Sequence, residues 1–195
     1  MISWKTVEPD FTPRDLGEII GSLTFLDAVL LARELSRHAM VLFLDEARDG
    51  IMRHVGARRE ESGGLLLGTA AMPSRRTGLS NPLVCVTDVV PALDYEGTSV
   101  SLRMNHSVWT SASLGIERGL MVVGWFHSHP NLGAFFSGTD RATQRQFFAH
   151  DYSLGYVVDP VRDDHAYFMG PECEEIDHRD VITLPSLSDL PATLR

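Results

Sequence analysis

Short apolar runs of strand length recur along the chain, at residues 40–44, 63–68, 83–90, 120–126, 154–158 and 166–169. Each is too short and too evenly apolar for an amphipathic helix, so each predicts a buried strand. Amphipathic stretches stand between them. Asp45 reads as the cap of a helix carrying Ala47, Ile51 and Val55 on one face. Asn105 reads as the cap of a helix over 106–117, which Gly119 ends. Ser137 and Asp140 form a Ser-x-x-Asp box opening a third helix over 138–148. Strands interleaved with three central helices predict an α/β sandwich with a mixed central sheet flanked by helices.

The ends read differently. Residues 1–39 predict a helical extension: Thr12 caps, Pro13 takes the first helical position, and Asp15 lies in the first turn. A second helix carries Phe25, Ala28, Val29, Ala32 and Leu35 on one stripe, either packed on its own domain or offered to a partner. Residues 69–82 read as a loop, and 91–98 as a turn-like insertion before alternation at Val100, Leu102 and Met104. After Gly170 the chain is acidic and loses periodicity. The expected organisation is therefore an extension over 1–39, a domain over 40–170 and an acidic tail over 171–195.

Composition narrows the function classes. A net charge of -9 argues against nucleic acid or an anionic membrane as the main partner. The most apolar early run, 23–35, is too short to span a bilayer and carries Asp27, Arg33 and Glu34. No basic segment with an apolar core and cleavage site opens the chain, and Cys85 and Cys173 cannot build a disulfide framework. Reduced thiols and a cytoplasmic setting are the expectation. Lys5 is the only lysine, which fits a GC-rich genome or avoidance of lysine modification.

The chemistry gathers at 124–140. His127 and His129 are two residues apart on a strand, so both imidazoles leave one face, and Pro130 stops the strand there. A His-x-His pair alone is weak evidence; Asp140 at a helix start makes a three-ligand set with room for a water. That is the composition of a catalytic, not a structural, zinc site. A zinc there would lower the pKa of its water to about 7. A base is then needed, and Glu61, before the glycine-bracketed strand, is the candidate, with Glu60 as the ambiguity. Ser137 is an N-cap that could also donate to an oxyanion.

The segments Glu61-Ser-Gly-Gly-Leu-Leu-Leu-Gly68 and Gly124-Trp-Phe-His-Ser-His-Pro…Ser137-Gly-Thr-Asp140 resemble the JAMM (MPN+, JAB/Mov34-type) zinc metalloprotease family. The likeness runs from about Met40 to Gly170, includes Val157-Val-Asp-Pro160, and is greater to proteasome-lid and signalosome members than to the DNA-repair-associated bacterial branch. It implies a single MPN-like, cytidine-deaminase-like sandwich. It also implies one zinc ion on His127, His129 and Asp140, Glu61 as general base and Ser137 as oxyanion-stabilising serine.

The implied reaction is hydrolysis of the peptide or isopeptide bond after the C-terminus of ubiquitin or a ubiquitin-like modifier, with conjugates as partners. Residues 91–101 match the family's first insertion, which pairs with the modifier's tail by strand addition. Tyr95 and Val100 are candidate contacts there, and Phe135 and Phe136 candidates on the other side. The arginine-rich composition suggests a bacterial version, whose relatives sit in operons with activating and conjugating enzymes, antiviral ones included. The alternatives are an inactive MPN scaffold that recruits partners, or a zinc protease or amidohydrolase acting on a non-modifier substrate.

Overall fold

The computed structural model describes residues 12–35, 37, 40–75, 78–93, 95–98, 101–104 and 106–185, with side chains at 34, 95–98, 101–104, 106, 107 and 114 excepted. The order of elements is β1 (Arg14–Asp15), α1 (Leu16–Ser22), α2 (Phe25–Leu35), β2 (Met40–Leu44), α3 (Asp45–Gly56), β3 (Gly63–Met72) and β4 (Leu83–Pro91). Then come β5 (Tyr95–Thr98), β6 (Ser101–Met104), α4 (His106–Glu117), β7 (Met121–Ser128) and α5 (Gly138–Phe147). β8 (Leu154–Asp159), β9 (Asp164–Met169), β10 (Glu174–Ile176) and β11 (Val181–Leu184) close the described chain.

One mixed sheet runs β10-β9-β8-β7-β3-β4-β2-β11, with β1 beside the far end of β3. β7 and β8 are parallel, as are β4, β2 and β11 in turn, while β3 is antiparallel to both β4 and β7. Helices cover both faces, as the interleaved pattern predicts for strands apolar on both sides. One core layer holds Phe43, Ile51, Leu66, Phe126 and Tyr156 with α1 and α3. The other holds Leu65, Leu67, Ala112, Trp125, Phe136, Val157 and Phe168 with α4 and α5. The candidate ligands His127 and His129 lie at the end of β7, on the side of this second layer.

The glycines explain how tightly the central strands approach. A Cβ at Gly68 would lie 1.8 Å from the Cys85 carbonyl oxygen, and one at Gly124 would lie 1.9 Å from that of Leu154. At Gly68 the neighbour that a side chain would exclude is therefore the backbone of β4, and at Gly124 that of β8.

Several expectations change. Asp45 is not a cap: Leu44 holds that position without a side-chain bond, and Asp45 is the first helical residue, where its charge still favours the helix N-terminus. Residues 69–72 are strand, not loop, because the apolar run continues through Ala70 and Ala71 against β4. Arg14 and Asp15 are extended and pair with Ala71 and Met72, which moves the cap of α1 from Thr12 to Asp15. On α2, Leu35 is buried and Ala28, Leu31 and Ala32 are half-buried, whereas Phe25 and Val29 face solvent with Leu26 and Leu30. The acidic segment after Gly170 adds two strands to the sheet. These strands are too short to show a period, and β11 is masked by the polar residues around it. Asn105 lies outside the described residues.

Candidate metal centre and catalytic site

The site is built where the β3–β7 ladder stops. Gly63 stands opposite His127, and beyond that pair the two strands are joined through serine. Ser62 N–H donates to Ser128 Oγ at 3.1 Å, while Ser128 N–H (2.8 Å) and Oγ–H (3.3 Å) donate to the Ser62 carbonyl. Both serines are fully buried. Side chains alternate along a strand, so turning Ser62 and Ser128 to one face turns Glu61, His127 and His129 to the other.

His129 N–H donates to the Val158 carbonyl at 2.9 Å, one residue past the end of β7. Pro130 then ends the strand, and the chain bends through Asn131 (φ 64°) and Gly133 (φ 91°). The buried carboxylate of Asp159 holds this bend. It accepts from Asn131 N–H (2.9 Å) and Gly133 N–H (2.7 Å), and from Val161 (3.0 Å) and Arg162 N–H (3.2 Å) on its own turn. Burial opposes its charge, but the four amides carry its pKa below the ordinary carboxylate value. The bend delivers Ser137 to the start of α5, where the expected capping box forms. Ser137 N–H donates to Asp140 Oδ2 at 2.7 Å, and Asp140 N–H donates to Ser137 Oγ at 3.3 Å.

These constraints bring the side chains together. His127 Nε2 lies 3.1 Å from His129 Nε2 and 3.2 Å from Asp140 Oδ1, and His129 Nε2 lies 3.6 Å from Asp140 Oδ2. All three residues are buried, with ligand atoms within 4.8 Å of one another. The first two distances are close to the edge of a zinc tetrahedron, about 3.3 Å for bonds near 2.0 Å. Two imidazoles and a carboxylate suit zinc better than copper or an iron–sulfur cluster, so the residues fit that ion. Burial, the largest influence, and the neighbouring His127 lower the His129 pKa and favour the neutral, ligating ring. Burial would raise that of Asp140, but His127 and Ser137 outweigh it and hold the carboxyl far below its usual range.

Glu61 Oε1 is 4.0 Å from His129 Nε2, while Glu60 is exposed. Burial pushes the Glu61 pKa up, opposed by His127 and reinforced by Asp140. A carboxyl raised in this way is suited to exchange protons nearer neutral pH.

Phe135 is half exposed with its ring 5.0 Å from that of His129, so it borders the site. Phe136 is a correction: at 6% exposure it is a core residue, stacked on Phe168 at 4.1 Å and filling the space above Gly155. Tyr95 opens β5, opposite Met104 in a separate hairpin, and Val100 lies outside the described residues. The sequence reading missed Ser62, Ser128 and Asp159. Small hydroxyls beside the base and between the histidines were a signal for the first two. An Asp-Pro after a buried strand, which favours turn initiation, was one for the third.

The model for prokaryotic homologs of the JAB domain matches residues 45–169. The 26S proteasome non-ATPase regulatory subunit 14 of Caenorhabditis elegans is 37% identical over 106 residues, 49% of this chain and 34% of that protein. The ubiquitin carboxyl-terminal hydrolase RPN11 of Saccharomyces cerevisiae is 33% identical over the same shares of the two chains. COP9 signalosome complex subunit 5 of Eremothecium gossypii is 42% identical over 76 residues, 36% of this chain and 18% of that protein. The chain thus spans about a third of the length of the first two. The solution structure of protein DSY2949 from Desulfitobacterium hafniense shares the fold, with a TM-score of 0.56 at 19% identity, over 76% of this chain and 95% of that one. This chain belongs to the JAB (JAMM/MPN) family, and its relatives include regulatory subunits of the 26S proteasome and a subunit of the COP9 signalosome.

Proposed function

We propose that the chain is a zinc-dependent isopeptidase that hydrolyses the bond after the C-terminus of ubiquitin or a ubiquitin-like modifier. The observation that carries this is the convergence of His127, His129 and Asp140 with the Glu61 carboxylate beside them. The name of the yeast relative, ubiquitin carboxyl-terminal hydrolase, supports the substrate class. His127, His129 and Asp140 would hold one zinc ion. Bound there, zinc supplies Lewis acidity, activating water near neutral pH and polarising the scissile carbonyl.

The chain's own residues supply the rest. Glu61 Oε1 takes the proton of the attacking water and passes it to the leaving amine. Ser137 Oγ accepts from Asp140 N–H, which leaves its own proton free to donate to the developing oxyanion. Phe135 forms an apolar wall beside His129 that restricts water around the reacting carbonyl. The modifier's tail adds to the β5 edge, with Tyr95 and Val100 as contacts. The complete ligand set favours an enzyme over an inactive scaffold.

The prokaryotic family match and the arginine-rich composition support a bacterial setting; the context proposed for it is an operon that also encodes activating and conjugating enzymes and a modifier, with an antiviral role. The test is to incubate the zinc-loaded chain with fusions of ubiquitin and of any neighbouring modifier and to identify products by mass. Cleavage after the modifier's last residue, abolished by chelator, is expected. Zinc-loaded protein that leaves every such fusion intact contradicts the reading.

A further inference from the structure

A metal-binding imidazole is ordinarily aimed by a hydrogen bond at its second nitrogen. His127 Nδ1 is buried and, among the described residues, bonds to no protein group. Its ring instead lies flat on the indole of Trp125, with centroids 4.5 Å apart and planes within 9°. Trp125 also stacks on Phe148 at 5.8 Å, but such packing alone leaves the indole room to tilt and slide.

That freedom is removed by Gln144. The Trp125 indole N–H donates to Gln144 Oε1 at 2.6 Å. Gln144 is fully buried, and its Nε2 donates to the carbonyls of Ser153 (2.9 Å) and Gly170 (3.3 Å). With both amide protons committed, the amide cannot flip, and Oε1 must face the indole. Gln144 lies one turn after Asp140 on α5. The helix that presents the carboxylate ligand thus also reaches, through Trp125, the plane of an imidazole ligand on β7.

We infer that Gln144 is a positioning residue of the metal centre: acting through Trp125, it sets the plane of His127, a task done elsewhere by a hydrogen bond to Nδ1. The inference rests on the metal centre proposed above, and its test is read both with and without metal.

Two single variants, Gln144→Met and Trp125→Phe, remove the same hydrogen bond from opposite ends. Zinc affinity by chelator competition is expected to fall about tenfold in each. The double variant is expected to lose no more than the larger single loss, because both changes remove the one hydrogen bond from the indole N–H to Gln144. In the metal-free full chain, couplings of the His127 β-protons are expected to show one rotamer in the wild type and averaging in the variants. A folded variant that keeps the single rotamer overturns the inference, as does a double variant whose losses simply add. If Gln144→Met does not fold, Trp125→Phe alone decides by the same couplings. Failure of the wild type to bind zinc would count against the metal centre, while the metal-free couplings would still judge the positioning.

Discussion

Asp140 is asked to do two things with one carboxylate: Oδ2 takes the N–H of Ser137, and Oδ1 faces His127. At N3 of the helix an asparagine side-chain oxygen can still accept the N–H of Ser137, but asparagine is a poor zinc ligand. Asp140→Asn should therefore leave the metal-free chain folded, at a melting temperature lower by roughly 5–10 °C because the charge that His127 and Ser137 stabilise is gone. Elemental analysis should find zinc lost from that variant, and full occupancy would mean that the ligand set is wrong. Ser128→Ala asks something different, since it strands a buried Ser62 N–H and loosens the segment next to Glu61. A stability loss of about 1–3 kcal/mol by urea unfolding is expected, with lowered turnover at unchanged zinc content. At this scale the ligands, base and cap could be read because their side chains have few alternative uses at such spacing. Ser62 and Ser128 were marked only by their places beside the base and between the histidines, and Gln144 by nothing, because a serine or glutamine shows its partner only after the chain has folded.

Between β7 and α5, the bend over residues 130–136 owes its shape to a strand that does not contribute to the bend itself. Asp159 ends β8 and receives amides from both sides of the gap. Its pKa is lowered in the folded state, so its contribution to stability is present above the ordinary carboxylate pKa, about 3.9. That contribution is lost as pH falls through the lower, folded value. Asp159→Asn should cost about 2 kcal/mol near neutral pH and flatten the fall in stability below about pH 4, measured by denaturation across pH 2–7. A variant with an unchanged acid limb would show that other carboxylates govern it. Elements with a full hydrophobic period, such as α3 and α5, were legible to within a residue or so. The start of α1 was not, because pairing of Arg14 and Asp15 with β3 overrides the local helix-start signal of Thr12-Pro13. Nor was the packed face of α2, whose apolar residues go nearly all the way round and leave the choice to its neighbours.

Across the whole molecule, the sheet closes on β11, the parallel neighbour of β2. β2 is buried along its length, so removing residues 181–195 would turn an apolar central strand into an open edge. That truncation should lower the melting temperature and produce concentration-dependent association on gel filtration. A monomeric truncated chain of wild-type stability would show that β11 is dispensable. Among the described residues no helix is long and apolar enough to cross a membrane. The mixed sheet and its two covered faces followed from the alternation of strand-length and helix-length patterns. The strands after Gly170 did not, because three or four residues among acidic neighbours carry no period.

The central claim is that these groups form one hydrolytic site with Glu61 as its base. Glu61→Gln keeps the size and position of the side chain and removes only its ability to take a proton. The direct test is turnover of a modifier conjugate by zinc-loaded wild type and zinc-loaded Glu61→Gln at equal zinc content. A loss of about 10²-fold or more is expected, with the metal retained. Near-normal turnover by Glu61→Gln would contradict the account.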